Sequence, residues 1–579
     1  DSASTTAIRN AGVALLRYPG GSASDIYHWQ SHSEDNGGFV NPSDNFDAFM
    51  GVAQSSSAQA MITVNYGSGT PQEAAGWVRY ANKGGSGYSG PVPTYSGASS
   101  TGHTYGIKYW EIGNEVYGDG TYGSTWENNT HGLGPSIYAN NVVSYSQAMK
   151  AVDSSIKIGV VLTTPGNWPD GVTSSSSPQP WNTTVLSTAC SSIDFVILHW
   201  YPQGPGSESD SALLSDTSQI AGMASTARSE INQFCGSHAS AVQIMLTETN
   251  SVSFNPGKQT VGLVNALYLA DNYMAWLENG IANVDWWNLH NGPSTGNNNS
   301  SSLFGSAQYG DYGVLSTGGS PEPAADTPFP PYYGLQMLSH LFKAGDSMVS
   351  SSSNQSLVAV HAVKQANGSL AVLLVNKDPS NSYTVSLALN GYSASANATV
   401  FTYGQSSSAI TSAAGSSSSV TIAPYSLTTV VLQPGSGSTP VATPTRGTTP
   451  VPTATPTRGV TPTATATSVS GSSCKVVYSV ASQWQGGFGA NLAITNTGTA
   501  TINGWSLKFS FANGQTITQL WNGSFTQSGA NVTITNASFN ATIAPGATLA
   551  SPPGFNGTWN GTNTNPTSFT LNGVACSTS

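Results

Sequence analysis

Charged residues are scarce in this chain: Asp, Glu, Lys and Arg together make up only 7 % of its 579 residues, and the net charge is −11. This small, acidic charge offers no basic surface for nucleic acid or an anionic membrane, so we expect neither as a partner. No run of 18 apolar residues is present, and we expect no membrane-spanning helix. The many uncharged polar residues fit a secreted protein that acts outside the cell on neutral polymers.

Cysteine is also rare, with four in the whole chain. The four fall as two pairs, Cys190 with Cys235 and Cys474 with Cys576, each inside one predicted domain. This pattern fits two disulfides formed in an oxidising compartment, although free buried thiols remain an alternative, mainly for the first pair. No His, Cys and Asp cluster has metal-ligand spacing, so we expect neither a metal nor another cofactor.

Apolar runs alternate with helical patterns up to about residue 340, which predicts a parallel sheet covered on both faces. There are seven such runs, at residues 13–18, 60–66, 107–115, 156–162, 194–201, 243–248 and 284–289. A (β/α)8 barrel, or TIM barrel, has eight strands. Because residues 2–10 resemble a helix that should follow a strand, we infer that the first strand lies upstream of Asp1, or that its place is open or filled differently. We assign residues 1–343 to this barrel.

The pattern changes after residue 343. Residues 344–435 contain short alternating runs separated by turn signals, which predicts a β-sandwich accessory domain. Residues 436–473 are rich in Pro, Thr and Ser and repeat the sequence TPTRG, so they should form an extended linker. Residues 474–579 alternate again and should form a separate all-β sandwich module.

Two glutamates stand where predicted barrel strands end. Glu115 closes the run YWEIGNE, and Glu248 closes the run QIMLTE. Each by itself could be a surface charge that follows a buried strand. Two carboxylates at the ends of two strands are also what a retaining glycoside hydrolase needs, one as acid/base and one as nucleophile. In that role Glu115 has to carry a proton and Glu248 has to be ionised.

Four motifs resemble the clan A glycoside hydrolases, and most closely family 51, the α-L-arabinofuranosidases. They are residues 16–21 (LRYPGG), 109–115 (YWEIGNE), 199–201 (HWY) and 246–248 (LTE). The resemblance covers roughly residues 1–435 and implies Glu115 as the acid/base and Glu248 as the nucleophile. Families 39, 30 and 79 of the same clan are close alternatives, because the residues after Glu115 and Glu248 are not those typical of family 51.

The resemblance also implies a substrate-binding set: Arg17, Asn114, His199, Tyr201 and Trp287. Asn114 would donate to the sugar 2-hydroxyl, and the alternative is a turn residue at a strand end. Buried Arg17 needs a carboxylate partner, and Glu248 is the natural one. Tyr201 and His199 share a strand face, so the Tyr201 hydroxyl could hold the nucleophile, whereas His199 could be a core histidine. The tryptophan would form the floor of the sugar subsite.

The last unit resembles a family 2 carbohydrate-binding module along nearly all of its length. The resemblance rests on its terminal cysteines and on the motifs QWQGGF (483–488), NTG (496–498), GW (504–505), WN (521–522) and NGVAC (572–576). It implies a flat strip of Trp484, Trp521 and Phe539 that stacks on crystalline cellulose. Trp505 is the core tryptophan of that family and should be buried.

Three functions follow as hypotheses. The first is a secreted retaining glycosidase of plant cell wall polysaccharide, most specifically an α-L-arabinofuranosidase targeted to cellulose. The second is an endo-β-1,4-glucanase or xylanase on the same barrel. The third, of another class, is a cellulose-binding protein whose barrel has lost activity. The expected partners are a polysaccharide substrate (arabinoxylan, xylan or glucan) and crystalline cellulose.

Overall fold

The computed structural model describes residues 2–35, 37–38, 40–118, 129–166, 180–435, 473–484, 486–536, 540–549, 552–559 and 561–578. The chain divides into two compact units, Asp1–Thr443 and Pro444–Ser579. The first unit therefore includes both the predicted barrel and the predicted accessory sandwich. Most of the predicted linker, residues 436–472, lies outside the described residues.

A seven-stranded parallel sheet forms the centre of the first unit. Its strands, in chain order and in spatial order, are β1 Leu15–Tyr18, β2 Gln59–Val64, β3 Tyr109–Ile112, β4 Lys157–Val161, β5 Phe195–Trp200, β6 Gln243–Thr249 and β7 Asn283–Val284. All neighbours pair in parallel. Among the described residues no further strand pairs with β1 or β7, so the sheet has the seven strands that the sequence predicts.

Helices follow the strands and cover the sheet. They are α1 Ser2–Ala11, α2 Phe46–Ser56, α3 Pro71–Asn82, α4 Pro135–Val152, α5 Trp181–Ala189, α6 Asp210–Asp216, α7 Ile220–Phe234, α8 Leu263–Glu278 and α9 Pro330–Leu341. The helix predicted at residues 2–10 is thus confirmed as α1. Thr70 caps α3 by accepting from the backbone N–H of Glu73, as short hydroxylated residues do at a helix start.

Short 3-10 turns and a small hairpin complete this layer. The turns are Ser22–Ile26, Val116–Gly118, Cys190–Ser192, Thr217–Gln219 and Gly236–Ala241, and the hairpin joins Tyr27–His28 to Ser33–Glu34. Since parallel strands place all their carboxyl ends at one rim, the loops after β1, β3, β5, β6 and β7 meet there.

A β-sandwich follows in the same unit. Its strands are β8 Ser347–Val349, β9 Val358–Lys364, β10 Leu370–Asn376, β11 Tyr383–Ser386, β12 Ala394–Gly404, β13 Thr411–Ser416, β14 Ser419–Ile422 and β15 Ser426–Pro434. Six of them form one sheet in the order β8-β9-β10-β15-β12-β13, and β11 pairs with β14. Helix α8 contacts both β7 and β10, which explains why it is buried on nearly all sides.

The second unit is entirely β in its described part. Its strands are Cys474–Trp484, Gly487–Asn496, Ile502–Asn503, Ser506–Ser510, Thr516–Trp521, Gly523–Ser528, Asn531–Asn536, Thr542–Ile543, Gly554–Thr558, Phe569–Leu571 and Val574–Ala575. They form a four-stranded, a five-stranded and a two-stranded sheet around an aromatic-rich core of their own. The predicted separate module is therefore a β-sandwich with an independent core.

Both predicted disulfides are present. Cys190 pairs with Cys235 within the first unit, and Cys474 pairs with Cys576, which closes the module end to end. Among the helices that the structure describes, none is both long and apolar enough to cross a membrane.

Candidate active site

The segment after β3 turns sharply at the rim and presents Glu115. Gly113 has a φ of 78°, and an added Cβ there would lie 2.7 Å from Val116, so only glycine fits. Glu115 itself has a left-handed φ of 41°, which is uncommon for a residue with a side chain. Buried Asp25 holds this turn, because its Oδ2 accepts from the backbone N–H of Asn114 (3.1 Å) and its Oδ1 from that of Tyr66 (3.2 Å). The turn is thus fixed from outside its own strand.

Glu248 lies near the end of β6, where the pairing with β5 is irregular. Leu198 pairs with Leu246, but His199 pairs with Glu248, so Thr247 is an extra residue on β6. A bulge of this kind re-aims the side chains around it. Here the hydroxyl of Thr247 reaches Nε2 of His199 (3.1 Å), and the carboxylate of Glu248 lies beside the same histidine.

His199 connects the two glutamates. Its Nδ1 lies 2.8 Å from a carboxylate oxygen of Glu115 and 3.5 Å from one of Glu248. Burial lowers the pKa of His199, but the carboxylates of Glu248 and Glu115 outweigh that effect and raise the pKa above its usual value.

The two glutamates are close together. A carboxylate oxygen of Glu115, a ring nitrogen of His199 and a carboxylate oxygen of Glu248 all lie within 4.8 Å of one another. Such a set has donor atoms that could surround a metal ion. The ring nitrogens of this histidine are, however, already engaged, with Glu115 on one side and Thr247 on the other.

Tyr201 holds the second oxygen of Glu248. Its hydroxyl donates to Oε2 of Glu248 at 2.9 Å. Burial and, next, the negative charge of Glu248 raise the pKa of Tyr201 well above its usual range, so the phenol keeps its proton and remains a donor. Tyr201 and His199, two positions apart, both face the glutamates.

Arg17, at the end of β1, contacts three side chains of the site. Its nitrogens donate as follows: Nε to Glu111 (2.5 Å), Nη1 to Glu248 (2.7 Å) and Nη2 to Asn114 (2.9 Å). Burial lowers the pKa of Arg17, but the two carboxylates outweigh that effect and raise it, so the guanidinium is firmly charged. The fork geometry of the guanidinium fixes all three partners relative to one another.

Sequence reasoning did not identify Glu111. It lies in the middle of β3 with no exposed surface, and Oε2 accepts from Arg17 and from the hydroxyl of Thr63 (2.7 Å), its neighbour on β2. Oε1 has no hydrogen-bond partner among the described residues. The available signal was a charged residue inside an otherwise apolar strand, since such a residue requires a partner.

Asp285, directly after β7, was also missed. Burial, and to a smaller extent the charge of Glu111, raises the pKa of Asp285 to about 7. Its Oδ1 accepts from Asn283, whereas Oδ2 has no partner among the described residues. The barrel interior thus contains a further acid that titrates near neutrality.

Trp287 lies beyond β7 rather than within it, because the predicted strand at 284–289 is shortened to Asn283–Val284. Its ring packs against Gly20 and Gly21 after β1, and an added Cβ at Gly21 would lie 2.8 Å from the ring. The backbone oxygen of Trp287 accepts from Asn250. Because Gly20 and Gly21 have no side chain, Trp287 has room to lie beside Arg17.

In the module, buried Trp505 donates to the backbone oxygen of Asn540 at 2.8 Å, as expected for a core residue. Trp484 and Trp521 are the last residues of two strands in the four-stranded sheet. The side chains of these two residues and the whole of Phe539 lie outside the described residues. The predicted aromatic strip stays a prediction.

Comparison with known proteins places the module in a family. The family model described as "Cellulose binding domain" matches residues 474–576. Exoglucanase B of Cellulomonas fimi is 55 % identical over 107 residues, which are 18 % of this chain and 10 % of that protein. Endoglucanase CelA of Streptomyces lividans is 45 % identical over 107 residues, 18 % of this chain and 23 % of that protein. The chain thus matches these relatives over less than a quarter of their length.

Solved structures resemble the first unit in fold. An α-L-arabinofuranosidase of Thermotoga maritima in complex with arabinose has 19 % identity and a TM-score of 0.54, covering 74 % of this chain and 89 % of that one. A family 44 xyloglucanase of Paenibacillus polymyxa has 13 % identity and a TM-score of 0.51, covering 73 % and 94 %. The chain therefore joins an α/β unit with the fold of the family 51 clan A glycoside hydrolases to a family 2 carbohydrate-binding module.

Proposed function

We propose that this protein is a retaining glycoside hydrolase in which Glu115 is the acid/base and Glu248 the nucleophile. Retaining enzymes have carboxyl groups about 5–5.5 Å apart, and inverting enzymes about 6.5–9.5 Å, to leave room for a water. One carboxylate oxygen of Glu115 and one of Glu248 lie within 4.8 Å of each other. This distance is the observation that carries the proposal, and it favours retention.

The reaction takes two steps. Glu248 attacks the anomeric carbon while Glu115 gives its proton to the glycosidic oxygen, so the bond to the leaving group breaks and a sugar ester of Glu248 forms. Glu115, now ionised, then takes a proton from water as the water oxygen attacks the same carbon. The ester bond breaks, Glu248 regains its charge, and Glu115 is again protonated.

The surrounding donors support these roles. Tyr201 and Arg17 each donate to one oxygen of Glu248, which orients the carboxylate for attack. His199 contacts Glu115 through Nδ1, so it holds the acid close to the same reaction centre. Asn114, fixed through Oδ1 by Arg17, leaves its amide N–H groups for a sugar hydroxyl.

We further infer an α-L-arabinofuranosidase that acts on plant cell wall polysaccharide. The observation that favours it is the fold shared with two α-L-arabinofuranosidases, one of them of family 51, together with the motifs at residues 16–21 and 109–115. The second candidate is an endo-acting glucanase or xylanase, favoured by the similar fold of the family 44 xyloglucanase. In either case the module would bind the enzyme to cellulose near its substrate, and a secreted protein with two disulfides is consistent with that location.

The activity is tested by incubating the full chain with arabinoxylan, arabinan, xylan and cellulose in parallel and identifying the products. Free arabinose supports the first candidate, whereas xylo-oligomers or cello-oligomers support the second. No product from any polymer or aryl glycoside would instead favour a cellulose-binding protein with an inactive barrel.

The roles of the glutamates are tested by substitution. Glu248→Gly should abolish turnover, and added azide should restore some cleavage of an aryl glycoside by replacing the missing nucleophile. Glu115→Ala should impair substrates with poor leaving groups far more than activated aryl glycosides, because only the former need a proton. Equal losses on both substrate types would contradict the acid role.

A further inference from the structure

Glu111 differs from the other carboxylates of the site in that substrate cannot reach it. It has no exposed surface, and it lies within β3 rather than at the rim. Its contacts are Arg17 at 2.5 Å and Thr63 at 2.7 Å. A residue so placed can act on the reaction only through Arg17 and through its charge, without touching the substrate.

The retaining cycle changes the surroundings of Arg17. In the free enzyme the guanidinium, whose side chain is only 6 % exposed, lies between two carboxylates, Glu111 and Glu248. When Glu248 becomes a sugar ester, it loses its negative charge. A buried cation without a carboxylate partner is strongly destabilised, so Arg17 needs a counter-ion that persists through the cycle.

Building on the retaining mechanism proposed above, we infer that Glu111 is a positioning residue: it is the permanent counter-ion that keeps Arg17 aimed at Glu248 and Asn114 while Glu248 alternates between carboxylate and ester. The guanidinium is planar and its N–H groups point in fixed directions. Anchoring Nε on Glu111 therefore fixes the directions of Nη1 toward Glu248 and Nη2 toward Asn114.

Thr63 anchors Glu111 in turn. It is the direct neighbour of Glu111 across the β2–β3 pair, and its hydroxyl donates to the oxygen that Arg17 also uses. The carboxylate is thus held from the sheet, independently of the rim loops and of whatever binds there. This chain of contacts runs from the sheet through Arg17 to the nucleophile.

The prediction for Glu111→Gln follows from charge. Without Glu111, Glu248 becomes the sole carboxylate partner of Arg17, which stabilises its ionised form and opposes its conversion to an ester. On an activated aryl glycoside kcat should fall about 10- to 100-fold. The acidic limb of the pH profile of kcat/KM should move to lower pH by about one pH unit, as expected for removing a nearby like charge.

The other titratable groups around Glu248 and Glu111 are Glu115, His199, Tyr201 and Asp285. Asp285 titrates near neutral pH and responds to the charge of Glu111. The comparison is therefore repeated in an Asp285→Asn background, where the shift of the acidic limb should persist. A shift that vanished in this background would belong to Asp285 and would overturn the inference for Glu248.

Two further variants separate charge from geometry. Glu111→Asp keeps the negative charge but shortens the side chain by one methylene, which moves the carboxylate away from Arg17. We therefore expect kcat to fall about 10-fold while the acidic limb of the pH profile stays in place. Thr63→Val keeps the charge of Glu111 and removes one hydrogen bond to its carboxylate, so kcat should fall about 10-fold at most while the acidic limb stays in place. Thermal unfolding of each variant shows whether it is folded.

If the Glu111→Gln variant is folded and still has the pH profile and the kcat of the wild type, the inference is overturned. If Glu111→Gln does not fold, Glu111→Asp decides, because full kcat in that variant would equally exclude a positioning role. Failure of the proposed function looks different: the wild-type protein would then cleave no glycoside at all.

Discussion

His361 is expected to hold the accessory sandwich on the barrel as a charged imidazolium. This buried histidine of β9 binds two carboxylates of α8, with Nε2 2.8 Å from Asp271 and Nδ1 2.9 Å from Glu278. Lys377, which follows β10, binds the other oxygen of Asp271 at 2.6 Å. Burial lowers the pKa of His361, but hydrogen bonds and charge from the two carboxylates outweigh it and raise the pKa to about 9.

The size of the effect follows from that value. A rise from 6.5 to about 9 on folding corresponds to about 3 kcal/mol of stabilisation. Because the folded-state pKa is the higher one, this contribution is complete below about pH 6.5 and disappears as the pH rises through 9. Replacing His361 by glutamine should therefore cost about 3 kcal/mol at pH 6, and most of this pH-dependent difference should be absent at pH 10.

The measurement is urea unfolding of wild type and His361→Gln across this pH range, followed by fluorescence. The module contributes equally to both proteins, so the difference reports the first unit. Asp285 and Asp311 also titrate in this range, because burial raises their pKa values to about 7 and about 8. Both residues are present in the wild type and in the variant, so their contributions cancel when the two free energies of unfolding are subtracted. His238→Gln, which removes a histidine bound to a neutral carbonyl, is the control. A wild-type–variant difference that does not change with pH would refute a charged His361.

Three further predictions concern the site and the module. Tyr201→Phe removes one donor from Glu248 and should lower kcat/KM on an aryl glycoside about 10- to 100-fold, the value of a hydrogen bond to a charged group; an unchanged value would mean that Arg17 alone orients the nucleophile. Trp505→Ala should cost the module about 3–5 kcal/mol and unfold it, so the full chain should lose cellulose pull-down but keep aryl glycoside hydrolysis. Trp484→Ala with Trp521→Ala should abolish pull-down without unfolding the module, and retained binding would place the cellulose surface elsewhere.

Much of the architecture could be read from the sequence because it depends on local patterns. Continuous apolar runs separated by helical patterns indicate a parallel sheet, and the number of runs equals the seven strands of the parallel sheet in the described residues. The cysteine pairs lie within domains, so their pairing was the simplest one available. Glu115 and Glu248 could be selected because a carboxylate that ends a buried strand in a parallel sheet lies at the common rim.

The exact strand ends were less well predicted. The run at residues 284–289 is apolar enough for a strand, but the structure ends β7 at Val284 and uses the following residues to place Trp287 against the glycines after β1. Periodicity cannot distinguish a strand residue from one that packs in an extended loop, since both are apolar.

The sequence alone therefore indicated which carboxylates could reach the rim and proposed Arg17 and Tyr201 as partners of Glu248, whereas only the tertiary structure decided which groups hold Glu115, Asn114 and Arg17 in place. Glu111 meets Arg17 across 94 positions, His199 meets Glu115 across 84, and Asp25 meets Asn114 across 89. These contacts depend on strand order, on register and on one bulge beside Thr247, none of which leaves a local pattern in the chain. A charged residue inside an apolar run indicates only that it needs a partner, and the packing of distant strands brings that partner into contact with it.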